Sequence, residues 1–95
     1  MARTRQTFAD TASLWSWRHR ILKSGLHPDA RLLLLTLACR MNDASASCFS
    51  STRNLVAETG LPAEAVISRL REASIAGLIE VLEVEPNYFQ VTRLS

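Results

Sequence analysis

Apolar residues recur at helical spacing through four stretches of the chain, and two strand-like runs follow. In residues 13–24, Leu14, Trp17, Ile21 and Leu22 form a stripe that Trp15 broadens, while Arg18, Arg20 and Lys23 decorate the rest. Ser13 is placed to cap this helix and Gly25 to stop it. His27-Pro28-Asp29 starts a second helix, because proline's missing N–H would be unpaired in a first turn and Asp29 complements the positive helix end. Residues 30–41 are apolar nearly all round: Ala30, Leu33, Leu34, Leu37, Ala38 and Met41 on one side, Leu32, Leu35 and Cys39 on another. A helix of that kind is central to a fold.

Small polar residues at 42–47 predict a loop, and Cys48-Phe49 a very short strand. Ser50 or Ser51 caps a two-turn helix ending near Thr59, and Pro62 opens another that runs to about Ala76. Residues 78–84 and 88–94 read as strands joined at Glu85-Pro86-Asn87. The expected fold is mainly α with a small β-hairpin, in the order helix, helix, short strand, helix, helix, strand, strand. Residues 1–12 read as a flexible basic arm and 13–95 as one domain.

The segment from Glu58 to Ile79 carries the most information. Gly60 ends a short helix where φ is expected to be positive, a conformation only glycine adopts at low cost. Leu55, Leu61, Val66 and Leu70 point to the seam between two helices, and Gly77 caps the second. With Phe49-Ser-Ser-Thr-Arg-Asn-Leu55, Glu58-Thr-Gly-Leu61 and Ala76-Gly-Leu-Ile79, residues 28–92 resemble the bacterial winged helix-turn-helix proteins of phages, plasmids and integrative elements. The resemblance implies a small sequence-specific protein that binds double-stranded DNA, as a transcription regulator or an excisionase-like recombination directionality factor. It implies a recognition helix over 62–76 whose outward residues, Ala63, Glu64, Ile67, Ser68 and Arg71, face the major groove. It also sets Ser51, Thr52 and Arg53 against phosphate at the start of the preceding helix.

Charge changes this picture. Residues 1–40 carry seven Lys/Arg against Asp10 and Asp29, and residues 41–95 carry four against seven acids. A basic N-terminal half suits a polyanion, although a solvated mixed-charge surface is the plainer alternative. The hairpin carries Glu80, Glu83 and Glu85 with only Arg93 in return, so phosphate would repel it. Compensating cations are Arg3 and Arg5 in the arm, reaching an adjacent minor groove, and Arg18, Arg20, Lys23 and Arg40 on the first two helices.

Trp15, Ile67 and Ile75 either complete a small core or offer a protein contact. The rival function is therefore a winged-helix adaptor or antagonist that binds protein and not DNA. A domain this small has few base contacts, so a homodimer, cooperative neighbours or a protein partner is expected.

Other chemistry is not expected. His19, His27, Cys39 and Cys48 lack paired zinc-ligand spacing, and Cys39 and Cys48 read as reduced, with Cys39 a small core residue. No Gly-rich phosphate loop or Ser/His/Asp grouping stands out, so neither an enzyme nor a cofactor is predicted. No apolar run is long enough to span a bilayer and no secretory signal is evident, which points to the cytoplasm.

Overall fold

The computed structural model describes residues 13–41 and 44–94. Within them the chain forms α1 (Leu14–Lys23), α2 (Pro28–Ala38), β1 (Ser47–Ser51), α3 (Thr52–Thr59), α4 (Ala63–Ile75), β2 (Ile79–Glu85) and β3 (Tyr88–Arg93). The expected arm at 1–12 lies outside the described residues.

Helix boundaries follow local chemistry. The Ser13 hydroxyl accepts from the Ser16 amide at 3.1 Å, and His27 Nδ1 accepts from the Asp29 amide at 3.0 Å, so each side chain satisfies a free N–H at a helix start. The Ser51 hydroxyl does the same for Asn54 at 3.1 Å. Between α3 and α4, Gly60 takes φ +78°, and Thr59 Oγ1 donates to the Leu55 carbonyl while accepting from the Leu61 amide. Gly77 follows α4 at φ +82°. Gly25 does not stop α1: that helix ends at Lys23, where Ser24 turns extended and its hydroxyl donates to the Ile21 carbonyl at 2.7 Å.

The three strands form one antiparallel sheet in the order β1-β3-β2. This enlarges the expected hairpin. The strand anticipated at Cys48-Phe49 spans five residues and pairs along β3, from Ser47 opposite Thr92 to Ser51 opposite Tyr88. Four helices and a three-stranded antiparallel sheet make the described part mixed rather than helical with an appended hairpin.

The core gathers Trp17 and Ile21 of α1, Leu33, Leu34 and Leu37 of α2, Leu55 of α3, and Val66, Leu70 and Ala73 of α4. Ile79, Phe89 and Val91 close it from the sheet. Trp17 is fully buried, and its Nε1–H donates to the Leu78 carbonyl at 2.9 Å, fastening α1 to the α4–β2 junction. Some residues of the expected apolar faces are exposed instead. Leu22 and Leu32 are exposed, and Cys39 lies exposed just past the last turn of α2.

Candidate functional site

Helix α4 is gripped on one side only. Val66, Leu70 and Ala73 are buried at the spacing of a single helical face, and α2, α3 and β2 pack against the helix. The left-handed Gly60 turn brings α4 directly back across α3. Ala63, Glu64, Ile67, Ser68 and Arg71, the five expected outward residues, are all exposed. Pro62 precedes the helix and supplies no side-chain cap. Glu64 sits in the first turn, where a carboxylate favours the positive helix end.

Beside this edge, α4 and the sheet enclose an open groove of about 330 Å³. Leu70, Val81 and Phe89 form its floor and Ile67 and Ile75 its helical wall, with Arg71, Ser74 and Glu83 as its polar lining. The helix edge that carries Arg71 is therefore flanked by an apolar trough.

The expected phosphate contacts divide. Arg53, in the first turn of α3, is exposed, as are Arg18 and Lys23 on α1. Arg20 is exposed and donates to the Leu94 carbonyl at 2.8 Å. Arg40 is engaged by Glu58 across α2 and α3, and that carboxylate hydrogen bond raises its already high pKa. Thr52 does not face outward. It is buried, its hydroxyl donates to Asn87 Oδ1 at 3.2 Å, and its amide donates to the Asn87 carbonyl at 3.0 Å. The Ser51 hydroxyl is occupied as the α3 cap. Arg93, expected as the hairpin's surface cation, is buried and donates from Nη1 to the Ser45 carbonyl at 2.9 Å. Arg3 and Arg5 lie outside the described residues.

Trp15 and Ile75 do not complete the core: their relative exposures are 65% and 81%, and Ile67 is exposed with them. The Trp15 ring lies against His19 with centroids 3.9 Å apart. The outer face of the sheet presents Phe49, Leu82 and Tyr88, with the Phe49 and Tyr88 rings stacked at 5.9 Å. Sequence reasoning did not single out that face, although the alternation about buried Cys48 and Phe89 was its available signal.

Asn87 stands in the expected turn between the two strands, but its link to α3 was not foreseen. It takes φ +62°, which asparagine tolerates better than most residues, and its amide donates to Glu83 Oε2 at 2.9 Å. Its bonds with Thr52 tie the hairpin tip to the start of α3. A second tie is Glu72 on α4, which accepts from Arg69 at 2.8 Å and from the His27 amide at 3.3 Å. Those hydrogen bonds, Arg69's first, hold its carboxyl below the ordinary glutamate range. Burial pushes the Cys48 thiol up, so it stays protonated.

Among the described residues no group of His, Cys, Asp and Glu is arranged to hold a metal ion, and no helix is long and apolar enough to cross a membrane. Comparison with known protein families, with curated proteins and with solved structures gave no match.

Proposed function

We propose that the chain is a winged helix-turn-helix protein that binds double-stranded DNA by sequence, with α4 as its recognition helix, and that it regulates transcription or directs recombination in a bacterium or mobile element. The observation that carries this reading is the open edge of α4. One face of the helix is clamped by the core while Ala63, Glu64, Ile67, Ser68 and Arg71 are exposed among the described residues. A helix held in that way can enter a major groove without rearranging the fold. Arg71 is suited to a guanine edge, Glu64 to a cytosine amino group, and Ile67 to a thymine methyl. Arg53 at the start of α3 supports the reading as a phosphate contact, and Arg18, Lys23, Arg3 and Arg5 are further cations for the backbone.

The small number of free cations predicts modest, salt-sensitive affinity. Each neutralised phosphate contributes about −0.9 to the slope of log K against log salt. Binding of a labelled random-sequence duplex, followed by fluorescence anisotropy from low to physiological salt, should therefore give a slope of roughly −2 to −5. Absence of binding at low salt contradicts DNA recognition.

A second reading, a protein-binding winged helix without DNA affinity, is favoured by the groove itself. Its floor is apolar, its hairpin wall carries Glu83, and Arg40 and Arg69 are already paired with Glu58 and Glu72. The same salt titration separates the two readings.

A further inference from the structure

We infer that the outer face of the sheet receives α1 of a second copy of this chain, so that molecules join head to tail. Both surfaces are left uncovered by the described residues. The strand register sets Phe49, Gln90 and Leu82 in one row across β1, β3 and β2, on the face turned away from the core. Phe49 and Leu82 are exposed, and the Tyr88 ring stacks on Phe49. On α1, Trp15 and Leu22 are exposed two turns apart. A chain's own α1 does not serve its own sheet face, because the opposite side of that helix holds Trp17 and Ile21 in the core.

Charge selects the occupant. Glu80 pairs with Thr92 and Glu85 with Tyr88, which puts both carboxylates on this outer face, two residues to either side of Gln90. No strand residue of the face is basic: Arg93, the one basic residue of the three strands, is buried opposite Ile79. Helix α1 is the counterpart, with Arg18 and Lys23 exposed and no acidic residue along its length. None of these four charges has an ion-pair partner among the described residues. Sheet against sheet would oppose carboxylates, and α1 against α1 would oppose cations. Helix on sheet places opposite charges together.

The spacings agree with that pairing. Trp15 and Leu22 are separated by a rise of about 10 Å, and Phe49 and Leu82 by two strand spacings, also about 10 Å. Around the helix, Arg18 lies about 60° to one side of Trp15 and Lys23 about 80° to the other. The apolar stripe of α1 is therefore flanked by a cation on each side, as the apolar row of the sheet is flanked by a carboxylate on each side. An interface of this kind is heterologous, so each molecule keeps one free surface of each type. Docking withdraws Arg18 and Lys23 from phosphate but uses none of the outward residues of α4. The inference needs no DNA and stands or falls separately from the DNA reading.

The test is sedimentation of the full chain, without DNA, over roughly 10 to 500 μM, the span of a weak self-association. Trp15→Ser removes the helix anchor and Leu82→Ser the sheet anchor. Both side chains are exposed, and far-UV circular dichroism checks that each variant folds. The wild-type average mass should rise with concentration, and each variant alone should remain monomeric. Their equimolar mixture should form a one-to-one pair and stop there, since Leu82→Ser keeps a good α1 and Trp15→Ser a good sheet face. Arg18→Glu with Lys23→Glu should also abolish association, and adding Glu80→Lys and Glu85→Lys to that same chain should restore it. A wild type that stays monomeric throughout overturns the inference, and leaves the sheet face to the chain's own residues 1–12 or to another protein. Association that survives either serine substitution, a mixture that stays monomeric, or a charge reversal that restores nothing overturns it as well.

Discussion

At the scale of single residues, the candidate interface comes down to which cations are free. Arg71 and Arg53 are exposed, whereas Arg40, Arg69 and Arg93 are engaged within the fold. Arg71→Ala should lower discrimination between a selected and a random duplex by about 1–3 kcal/mol, the worth of one good base contact. Arg53→Ala should weaken both duplexes alike and reduce the salt slope by about 1. Equal losses for Arg71→Ala on both duplexes would remove its base-reading role.

Glu72 makes a prediction about stability. Its carboxyl is held below the ordinary range in the folded chain, so it contributes stability above the unfolded glutamate pKa of about 4.3. That contribution is lost as pH falls through the lower folded value. Urea unfolding of Glu72→Gln should therefore show its largest deficit near neutrality and converge with the wild type in strong acid. A deficit independent of pH would assign the effect to packing instead.

At the scale of elements, the relation of α3 to α4 depends on one backbone conformation. A Cβ on Gly60 meets no atom within 4 Å, so the cost of alanine there is the strain of φ +78°. Gly60→Ala should lower stability by about 1–2 kcal/mol. Gly25 is equally uncrowded and has no positive φ, so Gly25→Ala should leave stability unchanged or raise it by up to about 1 kcal/mol in the same denaturant titration.

The chain announced this part of its structure because the information is local. Gly60, the spacing of Val66, Leu70 and Ala73, and the caps Ser13 and Ser51 act within a few residues of themselves. The hidden features are those settled from far away. Thr52 turns inward to Asn87, 35 residues on, and Arg93 to Ser45, 48 residues back. Likewise, serine-rich β1 is a weak strand former that extends to five residues because β3 supplies a partner along its whole length. Leu22 and Cys39 carry apolar periodicity to helix ends that no other described residue buries, which a pattern along one helix cannot show.

At the scale of the molecule, α1 carries Arg18, Arg20 and Lys23 with no acidic residue, while β2 sets Glu83 toward the groove and Glu80 and Glu85 on the sheet's other face. The open edge of α4 lies beside Glu83, and Arg71 is the one cation among the groove's lining residues. The proposed DNA interface is built on α4 and the start of α3, with the hairpin held away from phosphate. Backbone amide shifts, followed by two-dimensional NMR as a DNA duplex is added at low salt, test this most directly. Perturbations concentrated at Ala63, Glu64, Ile67, Ser68, Arg71 and Arg53 are expected. Shifts confined to Phe49, Leu82 and Tyr88 on the sheet, or no shifts at saturating duplex, would contradict it.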